Sequence, residues 1–240
     1  MPAGVLNNGV SLQWYGHSTV LLTTPGGKRV MMDAYVESNP ACPRELHTVE
    51  NLDALLITHG HFDHFDDVLA VIRSGRPKTV VAIHEIAVWL EGKGVQGVVG
   101  MNRGGTQQVE GLRVTMTQAF HSSSIVDGDR IFSGGEAAGY VIELENGFRL
   151  YNSGDTALFG DLALIGELWR PDLALLPIGD HYTMGPEEAA RAARLIGVRR
   201  VVPIHYGTFP LLTGTPERLR AAGEPDGLEV LALRPGETLS

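Results

Sequence analysis

The segment Thr58-His59-Gly60-His61-Phe62-Asp63-His64 puts three imidazoles and a carboxylate within six positions. It follows directly on Asn51-Leu52-Asp53-Ala54-Leu55-Leu56-Ile57, an apolar run of strand length. A core takes Leu, Val and Ile far more readily than four polar side chains, which are costly to bury without partners. Neutral imidazole and carboxylate are the ligands preferred by zinc and its neighbours among the first-row divalent metals. A chain carrying this segment is therefore expected to hold it at the C-terminal end of a strand, on a loop carried by a rigid scaffold. Gly60, lacking a Cβ, is expected to let the backbone turn tightly between two ligands. Asp66 to Ile72 reads as the next helix, stopped by Gly75 and Pro77.

The first third is rich in strand signals: Val10–Trp14, Thr19–Thr24 and Arg29–Asp33, with a Pro25-Gly26-Gly27 hairpin signal. Ala34 to Val49 reads as a long, functional loop. Thr79–Ile83 is a buried strand and Glu85–Gly92 a short helix. Strands over Gln107–Val109 and Leu112–Ala119 flank Glu110-Gly111, and Asn146-Gly147 joins Tyr140–Glu145 to Phe148–Asn152 as a hairpin. Helices at Leu162–Trp169, Pro186–Ile196 and Pro216–Ala222 then alternate with strands at Leu173–Ile178, Val201–Ile204 and Leu228–Leu233. No Pro/Ser/Gly-rich linker divides the chain, so residues 1–240 read as a single domain. The order of elements in both halves suggests two packed sheets with helices outside, an α/β (α+β) four-layer αββα sandwich.

Composition narrows the partners. A formal charge of -9 without a Lys/Arg-rich run argues against nucleic acid, and bound divalent cations would offset part of that charge. No run approaches the 18 apolar residues of a membrane span, and no signal-peptide pattern opens the chain. The single cysteine, Cys42, has no partner for an internal disulfide. Together these features suggest the cytoplasm. A homo-oligomer is compatible with the sequence.

One cluster holds one metal incompletely, and a His or Asp at the end of another strand could complete it. His121 follows Leu112–Phe120, Asp155 follows Leu150-Tyr151-Asn152-Ser153-Gly154, and His205 follows Val201-Val202-Pro203-Ile204. His-x-His-x-Asp-His, then a lone His, a lone Asp within Ser153-Gly154-Asp155-Thr156, and a final His resemble the metallo-β-lactamase superfamily from Val10 to Leu233. Trp14-Tyr15-Gly16-His17-Ser18, Leu176-Pro177-Ile178-Gly179-Asp180 with Thr183-Met184-Gly185, and Pro203 to Pro210 resemble its branch of small cytosolic metal-dependent hydrolases related to ascorbate-6-phosphate lactonase. The resemblance implies the αββα fold. It also implies His59, His61 and His121 as ligands of one metal, Asp63, His64 and His205 as ligands of a second, and Asp155 as a bridge. Zinc is the leading expectation, and manganese, nickel or iron suit the same ligands. Two such ions sharing a water would ionise it near neutral pH for attack on a small ester, lactone or phosphoester, with Asp63 and Asp155 balancing their charge. The rival activities are a phosphodiesterase acting on nucleotides and a non-hydrolytic metal-binding or iron redox protein.

Other residues are weaker candidates. His17 could orient substrate or stabilise an oxyanion, or be a hydrogen-bonded structural histidine. His181 could protonate a leaving group or be an exposed loop residue. Asp180 and Asp33 could hold ligand imidazoles. His84 also ends a strand but matches no ligand position of the family, and reads as structural. Gly104-Gly105 and Gly134-Gly135 lack the Lys-Ser or Lys-Thr of a phosphate loop. Ser122-Ser123-Ser124 lies outside any Gly-x-Ser-x-Gly elbow, which argues against a serine hydrolase. Ser122 to Ala137 is expected to be a mobile loop at the mouth of the site.

Overall fold

The computed structural model describes Leu6 and residues 9–240. In chain order the first part contains β1 (Ser11–Gly16), β2 (Thr19–Thr23), β3 (Arg29–Met32), β4 (Ala54–Leu56), α1 (Phe62–Phe65), α2 (Val68–Gly75), β5 (Thr79–Ile83), α3 (His84–Gly92) and β6 (Val98–Met101). The middle contains β7 (Thr106–Val109), β8 (Leu112–Gln118), β9 (Ser124–Asp127), β10 (Arg130–Ser133), β11 (Ala138–Glu143) and β12 (Arg149–Asn152). The last part contains α4 (Leu162–Trp169), β13 (Leu173–Pro177), α5 (Pro186–Ile196), β14 (Arg200–Ile204), α6 (Pro216–Gly223), β15 (Glu229–Val230) and β16 (Thr238–Leu239).

Two seven-stranded sheets form, in the orders β16-β1-β2-β3-β4-β5-β6 and β15-β14-β13-β12-β11-β8-β7. Their side chains decide how they stack. Along β13, Leu173 and Leu175 enter the core that both sheets share, while Ala174 and Leu176 enter a second core against α4, α5 and α6. A strand covered on both faces needs such a continuous apolar run, and each fully buried leucine contributes about 1.5–3 kcal/mol. α3 packs on β5 and β6 at the outer face of the first sheet. The result is the four-layer αββα sandwich.

The helices end where local chemistry stops them. Pro186 opens α5 and Gly197 closes it in the left-handed region at φ 75°. Thr215 caps α6 by accepting the Arg218 N–H.

Several expectations are corrected. The strand expected over Asn51–Ile57 shortens to Ala54–Leu56. The helix expected over Asp66–Ile72 runs over Val68–Gly75, and a separate short helix, Phe62–Phe65, precedes it, so Asp63 and His64 are helical rather than in a loop. Gln118 ends β8, so Ala119 lies outside it, and the strand expected over Leu228–Leu233 keeps two residues. β6 and β16 were not anticipated, being four and two residues long. Ser122–Ala137 contains a two-stranded ribbon, β9 paired with β10. Its turn is Gly128-Asp129, with Gly128 at φ 60°. A glycine beside an aspartate between apolar pairs was a readable hairpin signal there.

Candidate metal centre

The residues singled out in the sequence leave the C-terminal ends of strands at one edge of the sandwich. His17 follows β1, Asp33 follows β3, His59 follows β4, His121 follows β8, Asp155 follows β12 and His205 follows β14, while α1 carries Asp63 and His64. His17, Asp33 and His205 adopt left-handed backbone, at φ 54°, 58° and 56°. Such positions are uncommon for residues with a Cβ and persist only where the surroundings enforce them. Here the surroundings are backbone bonds across the sandwich. The His205 N–H donates to His17 O at 2.8 Å, and the Ala138 N–H to Thr58 O at 3.0 Å. The Tyr140 hydroxyl donates to Ile57 O at 2.7 Å.

Gly60 is needed for a reason other than turn tightness. A Cβ there would lie 2.8 Å from Ile125 Cγ1 and 3.0 Å from Ser124 O, so β9 crosses directly over the cluster.

Three nitrogens converge at one pole. His59 Nε2 and His121 Nε2 lie 3.1 and 3.2 Å from His61 Nδ1. Nitrogen ligands of one tetrahedral zinc lie about 3.3–3.4 Å apart when bonded at 2.0–2.1 Å. A second group gathers His17, Asp63, His64 and His205. Asp155 Oδ2 lies 2.9 Å from His205 Nε2, 3.3 Å from His64 Nε2 and 3.7 Å from His121 Nε2, between the two groups.

A carboxylate sequence reasoning had treated as minor organises two of these rings. Asp33 Oδ2 accepts from His64 Nδ1 at 2.7 Å and from the Thr58 hydroxyl at 2.9 Å, and Oδ1 accepts from the Thr58 N–H at 2.8 Å. Thr58 Oγ1 in turn lies 3.0 Å from His59 Nδ1. Both imidazoles thereby have Nδ1 engaged and Nε2 turned into the centre. His17 Nε2 lies 3.0 Å from Asp63 Oδ2, and its Nδ1 lies 2.9 Å from Thr208 Oγ1.

The charges fit a cation-binding role. Burial, and then the neighbouring imidazoles, hold His17 down to about 4 and His59 well below the usual histidine range. Burial also lowers His61 and His121. These rings are therefore neutral, the form that coordinates a metal. Burial would raise Asp155, but His205 and His64 outweigh it and hold it well below the carboxylate range. Burial would likewise raise Asp63, but the hydrogen bond from His17 together with the charges of His64 and His17 brings it down to about 2. Burial would lower His64, but Asp155 and Asp33 on either side raise it well above the imidazole range. Buried carboxylates need positive charge nearby, and a proton on His64 supplies it without metal. His64 Nε2 and Asp155 Oδ1 are nevertheless buried without hydrogen-bond partners. Orphaned donors and acceptors, neutral rings and ligand-like spacing all fit divalent cations.

His181 is not brought into this group. It lies exposed at φ 54°, its N–H donates to Asp180 Oδ1, and its ring packs on Tyr182; among the described residues no hydrogen bond or ion pair joins it to the cluster. Sequence reasoning missed the aromatic flank of the centre. Phe62, half exposed, lies 6.1 Å by ring centroids from both Tyr35 and Phe209, and Phe209 lies 5.5 Å from His17. Phe62 stands inside the His-rich segment, which was the available signal. It also missed the bracing of the Ala34–Val49 loop by Asp67, whose Oδ2 accepts from the N–H groups of Val36 and Ser38. Beside His121 a hollow of about 530 Å³ is lined by Phe120, Ser122 and Ser123, and by Arg103 and Glu136, which form an ion pair.

The Beta-lactamase superfamily domain model matches residues 28–206. A UPF0173 metal-dependent hydrolase of Rubrobacter xylanophilus is 52% identical over 96% of both chains, and one of Koribacter versatilis is 48% identical over 97% of this chain and 98% of its own. The solved structure of Igni18, a metallo hydrolase from Ignicoccus hospitalis, superposes with a TM-score of 0.84 at 36% identity, covering 96% of this chain and 97% of that one. The chain belongs to the beta-lactamase superfamily, and within it to the UPF0173 metal-dependent hydrolases.

Proposed function

We propose that this hydrolase uses two divalent cations and acts on a small, largely uncharged ester or lactone. His59, His61 and His121 would hold one cation, Asp63, His64 and His205 the other, with Asp155 shared. Zinc is the leading candidate, because the donors are nitrogen and carboxylate oxygen. Cations held there supply Lewis acidity and lower the pKa of water from 15.7 towards 7.

The observation that carries this reading is the position of Asp155 Oδ2, within 3.7 Å of imidazole nitrogens from both groups. The chain's own residues supply the rest. Asp33 fixes His64 directly and His59 through Thr58. With the Thr208 hydroxyl donating to Nδ1, neutral His17 donates from Nε2 to Asp63 and so orients that carboxylate. Tyr35, Phe62 and Phe209 offer an apolar wall to the carbon skeleton of a substrate. Arg103, the one cation lining the hollow at His121, is neutralised by Glu136, which favours an uncharged ester over a phosphodiester. Both sheets contribute to one apolar core, which supports reading residues 1–240 as one domain.

The test is a hydrolysis panel of aliphatic lactones, p-nitrophenyl esters and bis-p-nitrophenyl phosphate, run with the wild type and Asp155→Ala. Turnover of lactones or esters, lost together with metal in Asp155→Ala, supports the proposal. Preferential cleavage of the phosphodiester, or full activity and metal content in Asp155→Ala, overturns it.

A further inference from the structure

A second hollow lies at the opposite end of the first sheet, where β3, β4 and β5 begin. It measures about 780 Å³, within the usual range of ligand sites, and its lining includes Arg29, Glu50, Asp53, Arg73, Arg76 and Lys78. Six residues of extended chain separate Asp53 from His59, about 20 Å at strand rise, so this hollow is distinct from the imidazole cluster.

Its charges do not cancel. Asp53 is fully engaged, since Oδ1 accepts from Lys78 Nζ at 2.7 Å and Oδ2 from the Arg29 N–H at 2.9 Å. That leaves Glu50 as the one other carboxylate in a lining with three arginines, on a chain whose net charge is -9. Among the described residues neither Arg29, Arg73 nor Arg76 forms an ion pair with a carboxylate, and Arg29 Nε is buried without a hydrogen-bond partner. Arg73 and Arg76 flank the carbonyl end of α2, which explains part of their placement. It does not explain Arg29, which comes from β3 and leaves a donor unsatisfied where nearly all buried donors are paired.

We propose that this hollow binds a phosphorylated small molecule through Arg29, Arg73 and Arg76. A guanidinium fork matches phosphate oxygens two at a time, and a phosphomonoester dianion matches the surplus of positive charge. Asn51 and Ser74 in the lining offer hydrogen bonds to the remainder of the ligand.

The probe is inorganic pyrophosphate, titrated calorimetrically into the full-length metal-loaded protein. The variants are Arg73→Glu with Arg76→Glu, both exposed, and separately Arg29→Lys, which keeps the charge but loses the fork. The wild type is expected to bind with a Kd below about 1 mM, and the double variant at least about 20-fold more weakly. Its metal content and melting temperature should match the wild type, and Arg29→Lys should weaken binding severalfold. Undiminished affinity in the double variant would put the anion elsewhere, the metal centre included, and overturn the proposal. So would the absence of saturable binding by the wild type.

Discussion

Asp33 accepts three hydrogen bonds with no exposure to solvent, and through them sets the direction of two imidazoles. Its removal should therefore act on metal affinity while every proposed ligand remains. Asp33→Ala is expected to lower metal affinity about 10–100-fold, measurable by competition with a chromophoric chelator. Wild-type affinity in that variant would leave Asp33 a purely structural residue. Cys42 presents a different kind of buried group. Burial, then Asp67 and Glu45, push its thiol up to about 12, so at pH 8 almost none is thiolate. Iodoacetamide at pH 8 should label unfolded protein and spare native protein, as mass spectrometry would show. At this scale the sequence was legible wherever spacing was dense. The segment from His59 to His64 announced its own chemistry, His121, Asp155 and His205 stood out at the ends of apolar runs, and the resemblance supplied their division between two metals. The roles of Thr58 and Thr208 were not legible, because a hydroxyl's partner is set by tertiary distance: Thr208 meets His17 across 191 positions.

Strand ends gather the site. Parallel pairing of β3 with β4 and of β12 with β13 and β14 brings the exits of these strands to one edge, so residues far apart in sequence meet there. That much followed from apolar runs ending in His or Asp. The same rule also selected His84, which opens α3 and is exposed instead of joining the cluster. Periodicity separates strand from helix, but it does not say which strand ends share an edge. The strands of the β9–β10 ribbon, unlike its Gly128-Asp129 turn, were harder to read because their alternation is short and their outer face keeps Val126 and Ile131 exposed. Its contact with Gly60 is testable. Gly60→Ala should force Ser124 and Ile125 away from the cluster, at a cost of about 1–3 kcal/mol in urea unfolding. Stability unchanged within error would mean that β9 yields freely.

For the whole molecule, the two sheets meet over one core while their C-terminal edges hold Asp33, Asp63 and Asp155 close together. Cations that bind only the folded state stabilise it by about 4 kcal/mol at a thousandfold excess over Kd. Chelation should therefore lower the melting temperature by about 10 °C for a chain of this size, reversibly on adding metal back. Among the described residues no helix is long and apolar enough to cross a membrane. The most direct test is anomalous diffraction from crystals of the metal-loaded protein, recorded at the absorption edge of the bound metal. Two peaks are predicted, one among His59, His61 and His121 and one among Asp63, His64 and His205, both within reach of Asp155. Peaks elsewhere, or none between these side chains, would contradict the assignment.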